Sequence, residues 1–506
     1  ARALPGQGQD AFIPTEKHAA ALELNLVQSV WYNSDNAAGM TIDTLKDYNT
    51  VSGAYRHVSG DYKSLQRGDR ETSETFNTNG ARRIGKISLW GDFTFRNEYW
   101  TGAQYNTNRF FPSLDMPYYV ADPNKGDWTR QQYDMTVKAA FPLFWNTLAL
   151  GGRINYTTYK GAKQIDPRGV PIGYGIEVEP AVLVRITGHH ALGATFRYRN
   201  GFERNTFSNV QGGSSSIVYL MKGLGTFSSG AVAGTSGIGN YYYPANTFGG
   251  TLQYSYFGQD FKILAEGGYS SETVEAFQNP TIAYRMGTTE SSVVTAGLRM
   301  VWGKKNLHNV SADFSMTDIN GIEYLQERTS GQDENDPYTI LATLDMSHYS
   351  HTEASASYDF FLRRTSAADY TWNFGIGLCY MSRADQYNTP LSVFNYQNAE
   401  AALHAKRNIV IKGRHRLAFK AEGGYRYNLS GEYDYNGADA GHRIVTEFYT
   451  SEHSFRSAGF ARIGWSAGYL YSFRKSSLCL DFEGNHIMAS DNRSRTFLGA
   501  CVSYIF

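Results

Sequence analysis

The chain has 506 residues and balances 47 Lys and Arg against 47 Asp and Glu, so its net charge is zero and it carries no electrostatic footprint for nucleic acid. Its 37 Tyr, 29 Phe and 51 Gly, beside only 13 Pro, favour strands over helices, and three Cys are too few for a disulfide framework or a four-Cys zinc site. No run approaches the ~20 apolar residues of a membrane-spanning helix, but a transmembrane β-barrel stays open, because its strands need only alternate.

No leader pattern opens the sequence, so the numbering is expected to begin at a mature N-terminus. Residues 1–83 are expected to form an N-terminal segment outside the barrel pattern. Leu22, Leu26 and Val30 recur at helical spacing, and Asn33-Ser34-Asp35-Asn36 then supplies turn chemistry, which predicts a short helix over 19–32. Residues 50–65 have the pattern of a strand pair, and 67–80 are polar with few apolar anchors. Such a segment can plug a lumen, extend into the periplasm, or add two strands to a wall.

From residue 84 to the end the period is two. Val294, Ala296, Leu298, Met300 and Trp302 oppose Thr295, Gly297 and Arg299. Ala461, Ile463, Trp465, Ala467, Tyr469 and Tyr471 oppose Arg462, Gly464, Ser466 and Gly468. Sixteen such segments centre on residues 91, 135, 152, 180, 196, 252, 266, 297, 312, 356, 376, 404, 421, 465, 482 and 501. Connections after even-numbered segments are short: 142–145, 187–189, 258–260, 303–305, 363–368, 412–413 and 474–475. Those after odd-numbered segments are mostly long, including 97–129, 202–247, 318–349 and 428–457.

Alternating loop length is the pattern of a transmembrane antiparallel β-barrel, with short periplasmic turns and long extracellular loops. The expected fold is therefore an all-β barrel over 84–506 of about 16 strands, with a range of 14 to 18. Tyr residues toward strand ends, such as Tyr156, Tyr198, Tyr254, Tyr269, Tyr425 and Tyr469, fit an interfacial girdle. Ala265-Glu266-Gly267-Gly268-Tyr269 repeats as Ala421-Glu422-Gly423-Gly424-Tyr425, where glycine is expected to permit tight curvature. The Gly-rich stretch 223–250 lacks the bulk to pack alone, so it is expected to fold over the mouth or order on a partner.

The polar face of these strands defines candidate lumen-lining residues: Arg96, Arg153, Glu177, Arg197, Arg199, Glu266, Arg299, Asp313, Lys420, Glu422, Arg426, Arg462, Asp481 and Glu483. Interleaved charges of both signs suit a polar passage, and they equally suit pairing across a rigid wall. No catalytic, metal or cofactor set emerges. His348 and His351 point to opposite faces of a strand; Asp439 and His442 lack a second acidic pair; His404 and His486 lack a matching Ser and Asn. Cys379, Cys479 and Cys501 fall on inward positions, with Asp481 opposite Cys501, which disfavours a disulfide.

The short N-terminal segment, Tyr-rich strands and terminal Phe506 resemble a family of Bacteroidota outer-membrane β-barrels of unestablished function. More distantly, Ser29-Val30-Trp31-Tyr32-Asn33 and Asn36-Ala37-Ala38-Gly39 look like the N-terminal segment of FadL-type transporters, with Ala37 where those carry Pro. Because about sixteen strands can enclose an aqueous lumen and no catalytic set emerges, the expected function is an outer-membrane channel or transporter-like barrel for passive or gated solute uptake, without enzymatic activity. The alternative is an accessory barrel docked beside a transporter or surface lipoproteins. Expected partners are outer-membrane lipid and other envelope proteins, not nucleic acid.

Overall fold

The computed structural model describes residues 18–43, 45–106, 115–144, 147–210, 215–233, 240–278, 284–328, 338–364, 369–474 and 476–506. Twenty-one strands follow a short N-terminal region: β1 (Tyr48–Gly60), β2 (Arg70–Ile84), β3 (Ile87–Ala103), β4 (Val120–Ala121), β5 (Gly126–Phe144), β6 (Leu148–Lys163), β7 (Arg168–Arg185), β8 (His190–Ser208), β9 (Ser215–Gly223), β10 (Thr226–Ala233), β11 (Asn240–Phe257), β12 (Phe261–Gln278), β13 (Tyr284–Trp302), β14 (Leu307–Arg328), β15 (Tyr338–Arg363), β16 (Tyr370–Asn388), β17 (Leu391–Lys412), β18 (His415–Tyr435), β19 (Phe460–Ser472), β20 (Ser477–Ala489) and β21 (Ser494–Ile505). Eighteen of them form one antiparallel sheet, and β4, β9 and β10 form a second, small one. The large sheet closes where β1 pairs with β21, from Thr50↔Ile505 to Gly60↔Arg495. Closure leaves no edge, so every wall strand has a hydrogen-bonding neighbour on both sides.

All sixteen strands read from the period of two are present, and two more lie upstream. The expected boundary at residue 83 therefore moves: the barrel begins at Tyr48, and β1 and β2 pair along their lengths from Tyr48↔Ala81 to Ser59↔Arg70. Their outward faces conceal them. Val51, Gly53, Tyr55 and His57 on β1, with Thr72, Glu74, Phe76, Thr78, Gly80 and Arg82 on β2, give no run of alternating apolar residues.

Elsewhere the outward face is apolar and bare. Leu252 is 71% exposed, Leu403 62% and Ile463 59%. Water would penalise such a continuous band, and hydrocarbon would not, so the fold is a transmembrane antiparallel β-barrel. One belt at the short-turn end escaped the sequence reading. His190 Nδ1 hydrogen bonds to Tyr254 OH at 2.9 Å, and His308 to Tyr358 and His415 to Tyr469 do the same at 2.8 Å. Each His opens the strand after a short turn and reaches a Tyr on an adjoining strand, keeping two polar tips together at the membrane interface.

The glutamates of the repeat pack against glycines on the neighbouring strand. A Cβ at Gly297 would lie 3.0 Å from Glu266 Cγ, and one at Gly464 only 2.6 Å from Glu422 Cγ. In both places the Glu of the repeat lies flat over a glycine on the next strand.

At the long-loop end the strands run well past the band. β14 and β15 stay paired out to Arg328↔Tyr338, so much of that expected loop is strand. The β9–β10 hairpin folds back over the mouth and pairs with β4 through Val120↔Leu220. A π-helical turn (Ile444–Tyr449) running into a helix (Thr450–Ser457) packs against it. The turns at 142–145, 363–368 and 474–475 lie partly outside the described residues.

Candidate functional site: a plugged, charged lumen

Residues 18–43 lie inside the barrel. Helix α1 (Ala19–Gln28) is capped by His18, whose Nδ1 accepts from the Ala21 amide at 3.1 Å. Its burial differs from the predicted stripe. Ala20, Ala21 and Leu24 are buried, while Leu22 packs toward Leu470, Cys479 and Ile505. A helix inside a tube meets wall on several sides, so a single apolar stripe is not required. Leu24, Val30, Trp31 and Ala38 join Ala149, Leu183, Ala191, Leu264, Val301, Leu307, Phe361 and Tyr370 in one apolar layer. Those wall residues all flank short turns, so this layer fills the short-turn end.

Above it the plug is held by polar contacts. The turn Asn33–Asn36 places Asp35 between two wall arginines: Oδ1 accepts from Arg153 and Oδ2 from Arg197, each at 2.6 Å. Fully buried Glu179 accepts from the same two guanidiniums, at 3.0 Å and 2.6 Å, and Glu177 stands 3.7 Å from both. Lys138 donates to the carbonyls of Tyr32 (3.1 Å) and Ser34 (2.8 Å). Three carboxylates thus meet three cations, which is the condition for charge to be tolerated away from bulk water. Asn36 Nδ2 donates to Gln253 Oε1 and to the Val182 carbonyl, both at 3.0 Å, and Ser34 Oγ donates to Glu266 Oε2 at 3.0 Å. The wall makes room for this. A Cβ at Gly151 would lie 2.4 Å from the Ala38 nitrogen, and one at Gly193 2.6 Å from Asn36 Nδ2. At the other end of the plug, Glu23 accepts from Tyr370 OH (2.5 Å) and Lys406 Nζ (2.7 Å).

The long-loop end has its own apolar fill. Tyr105 stacks on Phe448 at 4.8 Å, and Tyr219, Met221, Tyr349, Tyr387, Phe394, Ile444 and Tyr449 pack around them. A second cluster joins Met116, Tyr118, Val218 and Val232 to Tyr241, Tyr243 and Val274. His442 rests on the Phe227 ring at 4.4 Å, which gives it a packing role. Asp122 is buried against Lys163, and that burial, opposed by Lys163, raises its pKa to about 6.

Between the two apolar layers lie charged cavities. One, of about 410 Å³, is bordered by Asp35, Arg197, Glu266, Arg299, Asp313 and Glu353; within it Arg299 pairs with Asp313 at 2.7 Å. Another, of about 520 Å³, lies along the wall carrying Lys420, Glu422, Arg462 and Glu483. Arg426 donates to Tyr62 OH at 2.5 Å and covers the Phe460 ring. Asp481 lies in register with Gly468 and Cys501, and Cys501 is a free thiol like Cys379 and Cys479. Arg96, half-buried, lies opposite Thr75 and Gln132, and Arg199, exposed, lies opposite Glu177. Of the fourteen candidates, Arg153, Glu177 and Arg197 converge at Asp35, and Glu266 meets Ser34. Sequence reasoning did not single out Asp35, Asn36 or Glu23.

His18 makes the plug acid-sensitive. Burial, followed by the nearby Arg416, holds its pKa at about 4, below the ordinary 6.5, with Asp369 opposing and Arg364 reinforcing. The released segment therefore takes up the proton first. Docking is at full strength above pH 6.5 and weakens as the pH falls toward 4. Amide exchange in α1, corrected for intrinsic rates, is expected to rise across that window, and His18→Gln is expected to flatten the dependence.

Among solved structures the chain is similar to BauA, the ferric preacinetobactin receptor from Acinetobacter baumannii, at 10% identity and TM-score 0.39, covering 91% of this chain and 80% of that one. It is similar to Pseudomonas aeruginosa OccK11 at 10% identity and TM-score 0.34, covering 91% and 95%. A Pseudomonas aeruginosa FadL homologue matches at 11% identity and TM-score 0.35, covering 94% and 93%. Similarity this low carries no inference about what the chain binds. No curated protein matches the sequence. A family model does match, over residues 37–506, from the plug's wall contact to the last strand, and the chain belongs to that family, the Family of unknown function (DUF6850).

Proposed function

We propose that the chain is an outer-membrane, channel-type barrel for solute uptake whose passage is closed at rest by its own N-terminal segment. The observation that carries this reading is the Asp35 seat: a chain segment inside the bore, held by ion pairs that water can replace, with polar cavities beside it. Hydrophobic packing alone would make a permanent core. A polar seat is weaker and exchangeable, which suits a gate. The proposed role involves no bond chemistry, and its immediate partner is membrane lipid.

A specific observation favours a second reading. The long-loop mouth is filled by aromatic side chains, which fits an accessory barrel that presents its lid to a transporter or a surface lipoprotein. Swelling of liposomes holding the Asp35→Ala protein, whose plug is unseated, separates the two readings. Uptake predicts swelling in small sugars or amino acids that falls off with solute size, and an accessory barrel predicts none.

A further inference from the structure

The cavity of about 520 Å³ is built differently from the one beside Asp35. Six charged side chains border it: Arg56 from β1, Glu400 from β17, Lys420 and Glu422 from β18, Arg462 from β19 and Glu483 from β20. They match one to one. Arg462 Nε stands 3.1 Å from Glu400 Oε1, Lys420 Nζ 2.7 Å from Glu422 Oε2, and Arg56 3.9 Å from Glu483 Oε1. Glycines hold these groups flat against the wall. A Cβ at Gly424 would lie 2.7 Å from Arg462 Nε, and one at Gly499 2.9 Å from Glu483 Oε1. Phe497 adds an apolar ring, already covered by Arg56 at 4.8 Å.

The floor of this cavity is therefore strongly polar without net charge. A charged solute would have to break an existing ion pair to gain one of its own, so it gains little. A hydroxyl both donates and accepts, and can bridge a guanidinium and a carboxylate while leaving their pairing intact. The cavity beside Asp35 offers no such balance, because Asp35, Glu266, Asp313 and Glu353 outnumber Arg197 and Arg299 there.

We propose that this cavity binds an uncharged, polyhydroxylated solute of mono- to disaccharide size. Its biological use rests on the uptake reading above, whereas the binding itself does not. Calorimetric titration of the full chain in detergent, and of its Asp35→Ala variant, with glucose, maltose, glutamate and arginine tests it. Saturable binding of a sugar, with weaker or absent binding of glutamate and arginine, is expected. Replacing Glu400→Gln and Glu422→Gln together leaves Lys420 and Arg462 without their carboxylates, while Arg56 keeps Glu483, so sugar affinity is expected to fall about tenfold while glutamate binding appears. Asp313→Asn, which borders the other cavity and pairs with Arg299 there, is expected to leave sugar binding unchanged, and an unaltered melting temperature shows that each variant has folded. Absence of saturable sugar binding in both chains, a preference for the charged solutes, or indifference to the double substitution overturns the proposal. Sugar binding without liposome swelling would remove the uptake reading and leave the site standing. Swelling in amino acids without sugar binding would do the reverse.

Discussion

Asp35→Ala is expected to unseat the plug while leaving the barrel intact. The substitution removes the plug carboxylate that, among the described residues, joins Arg153 to Arg197, and leaves those guanidiniums to Glu177 and Glu179. The Asp35 side chain is 35% exposed, so its ion pairs are partly screened, and about 1–3 kcal/mol of docking stability is expected to be lost. Hydrogen exchange is the appropriate measurement. Amides of 30–41 should exchange about tenfold to a hundredfold faster while those of β6, β7 and β8 keep their protection. Asp35→Glu, which retains the carboxylate, should restore much of the protection. Equal loss of protection in the wall strands would mean that Asp35 supports the barrel as a whole.

Phe448→Ala is the counterpart at the other mouth. Phe448 is fully buried and stacks on Tyr105, so its truncation opens a cavity in the lid at a cost of about 3–5 kcal/mol. The lid joins 104–106, 115–123, the β9–β10 hairpin and 444–457 mainly through side chains, and it should loosen without disturbing the hydrogen-bonded wall. Cys379 provides a reporter. It lies in register with Ser355 and Glu400 on the lumen face below the lid, and its thiol is free. In a background carrying Cys479→Ser and Cys501→Ser, a membrane-impermeant thiol reagent applied from the long-loop side should label Cys379 faster in the Phe448→Ala protein. An unchanged labelling rate would show that the lid does not control access from that side.

Much of the barrel was legible because lipid imposes a rule on every second residue. Sixteen strands obey it with Leu, Val, Ile and aromatic residues facing out. β1 and β2 do not, and so were read as part of an N-terminal segment: Thr72, Glu74, Thr78, Gly80 and Arg82 carry no apolar signal, and only their pairing with β3 and β21 reveals them. The segment is divided, with 18–43 in the bore and β1 and β2 in the wall, so two of the alternatives open for residues 1–83, a luminal plug and an added strand pair, hold for different parts of it.

The site was legible only on its wall side. Parity alone marks Arg153, Glu177 and Arg197 as inward-facing. Their partner Asp35 sits in an ordinary turn sequence, 118 residues before Arg153 and 162 before Arg197, and no local pattern links them. A hint was present in retrospect: inward charges clustered on β6, β7 and β8 require neutralisation, and the N-terminal region offers one acidic turn. The glycines facing the plug were equally opaque. Gly151 and Gly193 resemble any other strand glycine until the chain lying against them is seen.

Single-channel recording in planar bilayers tests most directly whether residues 18–43 close the bore. The intact chain is predicted to show rare, small openings, and the chain lacking residues 1–43 is predicted to show large, persistent steps, with Asp35→Ala between them. Identical conductance with and without the segment would contradict the account.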